Sequence, residues 1–317
     1  MAGMPRITAR HESLPLTAPF RISRGVKTAA EVVVVEAEQD GVVGRGEAVP
    51  YARYGETVES VLAQAATGGE LSAGAAGNAV DLALWDLRAR LEGRSVGEIT
   101  GHPMPDEIVT AVTVSLDEPD AMHAAALAVK DAPLIKVKLN AERSEERLRA
   151  VADAAPDAAL IVDPNEGWTF EILDGLHTVI AELNVALLEQ PLPAEADAAL
   201  EGYRPAKPIC ADESAHVAAD LEALRGRYQA VNIKLDKAGG LTEALVMLET
   251  ARALGFRVMT GCMVASSLAI VPALHLAGTS DFADLDGPWW IKNDRPGGVR
   301  IEGGRLYRPA KGFWGEP

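Results

Sequence analysis

Residues 134–163 read LIKVKLNAERSEERLRAVADAAPDAALIVD. Leu134 to Leu139 is a short apolar run carrying two lysines, and Leu160 to Asp163 is a second run ending in an acid. Between them, Ala141 to Ala155 is rich in Ala, Glu, Arg and Leu, which favour the helix. The stretch therefore predicts one strand–helix–strand unit. The same rhythm extends from about residue 108. Further apolar runs lie at Thr110 to Leu116, Val185 to Leu188, Pro208 to Ala211, Ala230 to Leu235, Phe256 to Thr260 and Phe282 to Leu285, with Thr242 to Leu254 again of helical composition. Eight strands alternating with helices predict an α/β barrel over residues 108–290. An open doubly wound sheet shares this alternation, so periodicity alone leaves both.

Residues 1–107 read differently. Glu31 to Glu38 (EVVVVEAE) has strand character, Asp40-Gly41 supplies a turn, and Val42 to Glu47 returns as a second strand. In Asn78 to Leu91, Val80, Leu84, Leu87 and Leu91 fall at helical spacing. A small α+β domain is expected here.

The strand ends separate barrel from open sheet. Lys136 and Lys138, then Asp163, Glu189, Asp212 and Lys234 close successive runs at intervals of 22 to 26 residues, and Asp284 and Asp286 close the last. A barrel gathers such groups into a ring at one mouth, whereas an open sheet spreads them along a line. Asp163, Glu189 and Asp212 would repel one another in a dry pocket unless a cation joined them. Three oxygen ligands without histidine or cysteine suit Mg²⁺. Lys138 and Lys234 fall on either side of the trio, placed to face two sides of one bound carbon. Lys136 and Lys138 share a strand face, because side chains alternate with period two. Burial and a neighbouring cation are expected to lower a lysine pKa toward that of a general base. Two bases on opposite sides of a carboxylate-bearing carbon imply a 1,1-proton transfer.

These residues resemble the enolase superfamily, in the subgroup of muconate-lactonizing enzymes. The matching pieces are KVK (136–138), DPNEGW (163–168), EQP (189–191), ADES (211–214) and NIKLDKAGG (232–240). The resemblance implies a (β/α)7β TIM-like barrel with an N-terminal α+β capping domain, the tail 291–317 packing back on the cap. It assigns Mg²⁺ to Asp163, Glu189 and Asp212 and the two bases to Lys138 and Lys234, with Asn165 and Asp236 standing behind them. DLDGPWW (284–290) resembles the last-strand Asp-x-Asp of dipeptide epimerases, which holds the substrate's free ammonium. Asp284 and Asp286 on one strand face present two acceptors to a cation. PFRISRG (19–25) and PYARYGE (50–56) resemble the loops of Ala-Glu epimerases, in which Arg24 would meet a glutamyl carboxylate, with Arg21, Lys27 and Arg53 as rivals. Thr113, Cys262 and Val264 would line the pocket.

The implied activity is a dipeptide epimerase with a small-molecule dipeptide as substrate, suited to cell-wall peptide metabolism. Cycloisomerases and o-succinylbenzoate synthase share the lysines and ligands but have no evident need for the acid pair. A non-catalytic dipeptide binder would be expected to lose a base or ligand. Composition agrees with a soluble enzyme: of 317 residues, 48% are hydrophobic and 24% charged, which excludes a disordered chain. The net charge of −16 and 5% aromatic content argue against nucleic-acid or anionic-membrane partners. Two distant cysteines, Cys210 and Cys262, and no signal-like apolar core in Met1 to Leu16 predict a cytoplasmic protein. Monomer or homo-oligomer is left open.

Overall fold

The computed structural model describes residues 4–68 and 72–317; residues 1–3 and 69–71 of the expected cap lie outside them. The first three strands, β1 (Arg6–Ile22), β2 (Gly25–Gln39) and β3 (Val42–Ala48), form an antiparallel meander. Asp40 and Gly41, both at positive φ, make the β2–β3 turn, as a two-residue hairpin of this twist requires. The four valines of the EVVVVEAE run are buried on both faces. Val33 and Val35 join one apolar cluster with Ala79 and Leu87, and Val32 and Val34 join the core shared with the barrel.

Two helices cover this sheet, α1 (Val58–Ala66) and α2 (Ala75–Glu92). Helix α2 lies almost on the backbone of β3. A Cβ added at Gly44 would stand 2.2 Å from Leu87 N, and one at Gly46 would stand 2.2 Å from Ala79 O. Glycine at these two positions is what permits the contact.

After the short β4 (Glu107–Val109) come eight parallel strands in sequence order: β5 (Val112–Val114), β6 (Leu134–Lys138), β7 (Ala159–Asp163), β8 (Val185–Glu189), β9 (Ile209–Ala211), β10 (Ala230–Lys234), β11 (Arg257–Gly261) and β12 (Phe282–Asp284). Ala111 N donates to Ala283 O at 2.9 Å, and Leu285 N to the Thr110 hydroxyl at 2.8 Å. These bonds bring the first strand to the last, so the nearly closed barrel is found and the open sheet is not.

The alternation of strand and helix is incomplete. The β8–β9 and β9–β10 connections carry 3₁₀ segments, Ala194–Leu200 and Ala218–Leu224. Pro191, Pro193, Pro205 and Pro208 crowd the first of these connections, and proline cannot continue a helix interior. Beyond the barrel, β13 (Arg300–Glu302) and β14 (Arg305–Tyr307) extend β4 into a small antiparallel sheet.

The tail touches the cap as well. Trp314 Nε1 donates to Arg45 O at 2.8 Å, and Gly315 N to Asp86 Oδ1 at 2.7 Å. Buried Glu47 of β3 accepts from Ser266 N at 2.8 Å and Arg295 Nε at 2.9 Å, tying cap to barrel from a second direction.

Candidate active site

Period-two alternation builds the site from below. Leu134, Ile161, Leu187, Cys210, Ala230 and Met259 form an apolar cluster. Two residues further along β6, β7, β8 and β10, and one past the end of β9, come Lys136, Asp163, Glu189, Asn232 and Asp212. Lys138 and Lys234 follow after another two. The sequence that packs the barrel interior thus carries polar groups to its C-terminal mouth, all of them buried. The cap closes over this mouth, and a cavity of about 710 Å³ lies between, lined by Lys136, Lys138, Asp212, Lys234, Asp284 and Asp286 from the barrel and by Phe20, Lys27, Tyr51 and Tyr54 from the cap.

Ammonium and carboxylate groups interleave. Lys138 Nζ lies 2.5 Å from Asp163 Oδ2, and Lys234 Nζ 2.7 Å from Asp212 Oδ2. Lys136 Nζ reaches Glu189 Oε2 and Asp284 Oδ2, each at 2.6 Å, and Asp163 Oδ2 at 3.1 Å. Asn165, in the left-handed region at φ +48°, donates through N and Nδ2 to Asp163 at 2.8 and 3.1 Å. Asn232 Nδ2 donates to Glu189 Oε1 at 2.9 Å. The expected partner Asp236 accepts Val49 N at 2.9 Å and Asn78 Nδ2 at 3.0 Å, so it ties the cap to the mouth.

Burial does oppose charge on Lys234, but Asp212 and Glu189 overcome it and raise its pKa well above the usual value; the same happens at Lys136, where Asp284 leads. Burial is likewise overcome at Asp163, which Lys138 and Lys136 hold low, and at Asp212, which Lys234 and Lys237 hold low. Glu189 goes the other way. Burial, then the charge of Asp163, pushes it up to about 8.

The trio suits a divalent cation by donor type, three carboxylates at adjacent strand ends. Glu189 Oε2 accepts no hydrogen bond and has only the Lys136 ammonium close to it. Among the described residues no three acids converge on a single ligand point, and each acid of the trio is in contact with a lysine ammonium.

Across the cavity, Asp286 Oδ2 accepts Thr113 N at 2.7 Å. Burial and then Asp284 push its pKa up to about 6, so a further cation would be welcome there. Cys262 and Val264 line the same wall, and burial holds the Cys262 thiol high, away from thiolate chemistry.

Arg24 is fully engaged on its two terminal nitrogens. Nη1 donates to Asn165 O at 2.9 Å and Glu166 Oε2 at 3.0 Å, and Nη2 to the Tyr51 hydroxyl at 2.9 Å and Glu213 Oε1 at 2.8 Å. Three participants carried no role in the sequence reading: Asn232, Glu213 and Lys237. Asn232 had a usable signal, since it precedes Lys234 by two on one strand. Lys237 is completely buried and donates to Asp212 O at 2.5 Å, Asp212 Oδ1 at 2.7 Å and Asn232 O at 3.0 Å.

Comparison with known proteins bears on the family and the fold. The mandelate racemase / muconate lactonizing enzyme N-terminal domain profile matches residues 4–67, and the enolase C-terminal domain-like profile matches residues 120–313. L-Ala-D/L-Glu epimerase of Escherichia coli (strain K12) is 47% identical over 96% of this chain and 100% of that protein. A crystal structure of an enolase family member from Agrobacterium tumefaciens, with homology to dipeptide epimerases and with bound sodium and L-Ala-L-Glu, is 45% identical with a TM-score of 0.93, covering 98% of this chain and 99% of that one. Dipeptide epimerase from Enterococcus faecalis V583, complexed with Mg and L-Leu-L-Tyr, is 27% identical with a TM-score of 0.90, covering 98% and 99%. Two-domain architecture, strand-end constellation and relatives converge: the chain belongs to the mandelate racemase / muconate lactonizing enzyme family of the enolase superfamily.

Proposed function

We propose that this protein is a magnesium-dependent dipeptide epimerase that inverts the α-carbon of the C-terminal residue of a dipeptide, with L-Ala-D/L-Glu as substrate. The observation that carries this reading is the pair of buried lysines, Lys138 and Lys234, flanking the acid trio at one mouth with Asp284 and Asp286 across the cavity.

In this reading one lysine, as the neutral amine, takes the α-proton, and the other, as the ammonium, returns a proton to the opposite face. The two exchange protonation states, so atoms balance and the enzyme is ready for the reverse reaction. Positioned general bases of this kind contribute on the order of 10²–10⁴ in rate. Lys136 places a fixed positive charge beside the site where the deprotonated carboxylate gathers negative charge. Magnesium held by Asp163, Glu189 and Asp212, when bound, supplies the Lewis acid that lowers the cost of that charge. Asp284 and Asp286 receive the substrate's free ammonium and so fix its distance from the two lysines.

The acid pair also weighs against a cycloisomerase or an o-succinylbenzoate synthase, whose substrates carry no ammonium. Among the described residues no helix is long and apolar enough to cross a membrane. A role in recycling or breakdown of cell-wall peptides fits the substrate. The test is incorporation of solvent deuterium at the glutamyl α-carbon of L-Ala-L-Glu in the presence of Mg²⁺, followed by mass spectrometry and chiral analysis. Absence of exchange across a dipeptide library would overturn the assignment.

A further inference from the structure

Directly after Glu189 comes a residue to which the proposed chemistry gives no part. Gln190 is completely buried and stands at φ +32°, in the left-handed region that residues other than glycine seldom occupy. Its backbone is tied on both sides. N donates to Cys210 O of β9 at 2.9 Å, and O accepts Glu166 N at 2.9 Å from the turn after β7. Glu166 and its neighbour Asn165 are left-handed too, at φ +64° and +48°. Backbone of this kind persists where its surroundings over-determine it, and it gathers at functional sites.

The Gln190 side chain supplies that over-determination. Oε1 accepts Asp212 N at 2.8 Å and Ser214 N at 3.2 Å. Nε2 donates to Leu192 O at 3.0 Å and to the Ser214 and Tyr228 hydroxyls, each at 2.9 Å. Behind the hydroxyls stands buried Asp197, whose Oδ2 accepts Ser214 Oγ at 2.6 Å and the Tyr228 hydroxyl at 2.8 Å, while Oδ1 pairs with Arg227. The two hydroxyls lie 3.2 Å from each other, a longer contact than either makes with Asp197. A carboxylate has no proton to give, so both hydroxyls direct theirs to Asp197 and turn lone pairs toward Gln190. Burial pushes the Tyr228 pKa up and keeps its proton in place. Only an amide N–H can meet those lone pairs. The amide therefore has one orientation, with its oxygen toward Asp212 N.

We propose that Gln190 is a positioning residue for the metal site: its amide, oriented by Asp197 through Ser214 and Tyr228, holds the Asp212 end of β9 to the Glu189 end of β8 and so sets the spacing of two of the three carboxylates that receive Mg²⁺. The proposal rests on the magnesium reading of the trio and places a determinant of its affinity outside the three acids. Outer partners of this kind orient metal ligands that they do not replace.

The test measures Mg²⁺ binding by titration calorimetry in full-length wild type, Gln190→Met and Tyr228→Phe, with circular dichroism to follow the fold. Gln190→Met keeps the side-chain length and removes the amide. Its Kd for Mg²⁺ is expected to rise on the order of 10- to 100-fold, the range for losing an outer partner of a metal ligand. Tyr228→Phe removes one of the two hydroxyls that orient the amide and is expected to raise Kd by less. Turnover of L-Ala-L-Glu by Gln190→Met should climb toward the wild-type value as Mg²⁺ is raised. A merely structural role would instead lower the binding stoichiometry, as folded protein is lost, and leave Kd unchanged. A wild-type Kd in Gln190→Met overturns the proposal; if that variant does not fold, a wild-type Kd in Tyr228→Phe overturns it. A wild type that binds no Mg²⁺ overturns the metal assignment and this inference together.

Discussion

The Lys237 ammonium donates to both the backbone carbonyl and the Oδ1 of Asp212, while Lys234 takes the other carboxylate oxygen at 2.7 Å. Asp212 is thereby fixed on both oxygens, and its geometry is set by a residue with no exposed surface of its own.

Replacing Lys237 by Met should cost about 3 kcal/mol of stability, the scale for leaving one half of a buried ion pair alone. It should also weaken Mg²⁺ binding, because Asp212 loses its fixed orientation. Chemical denaturation with EDTA present measures the first effect, and titration calorimetry with Mg²⁺ the second. Wild-type values in both would show that Lys237 only fills space.

Lys138→Ala and Lys234→Ala should each reduce epimerisation at least about a hundredfold, the lower end for a positioned acid–base group. The two variants should differ by substrate hand. Each removes exchange from one enantiomer at the α-carbon while exchange from the other survives in part. Following L-Ala-L-Glu and L-Ala-D-Glu separately in deuterated water distinguishes them, and equal residual exchange from both enantiomers in both variants would reject opposed faces.

Asp286→Asn should raise KM for L-Ala-L-Glu roughly 10-fold or more, the size of one charge-assisted hydrogen bond, with a smaller change in kcat. Thr113 N can still donate to the amide oxygen, so the local backbone is retained. Steady-state kinetics over a wide substrate range gives the split, and a loss confined to kcat would move Asp286 out of ammonium binding.

Asp236 makes stability depend on pH. Burial pushes its folded pKa up to about 7 from an ordinary 3.8, so the protonated form is the one the fold prefers. Its stabilising contribution is complete below the unfolded pKa and is lost as pH climbs toward 7, at roughly 1 kcal/mol per pH unit. Asp236→Asn keeps an acceptor for Val49 N without this titration. Urea midpoints for wild type and variant in EDTA should therefore diverge in the variant's favour between pH 5 and pH 7 and run parallel above it. Parallel curves between pH 5 and pH 7 as well would show that Asp236 is already ionised at the lower pH.

The barrel and its mouth were legible because two signals coincide there. Strand periodicity placed β6, β7 and β8 within a residue of their observed ends, and an acid or amine at each end named the ring. β1 was not legible. Its 17 residues are exposed or half-buried except for Leu16, and Pro15 and Pro19 argue against a strand that long. The helix expected between every pair of strands fails where prolines crowd residues 191–208. The pairing of Lys234 with Asp212 and of Lys136 with Asp284 depends on side-chain geometry, which spacing along the chain does not contain. The engagement of Arg24 is of the same kind, made with Asn165, Glu166 and Glu213, all more than a hundred positions away, and with Tyr51.

The cap meets the barrel at a mouth whose reacting groups all belong to the barrel, while Lys27, Tyr51 and Tyr54 reach it from an unbroken stretch early in the chain. One wall of the cavity is therefore written on a different segment of the gene from the strand-end groups. A change confined to the codons for residues 20–58 reshapes that wall while leaving the strand-end lysines and acids as they are.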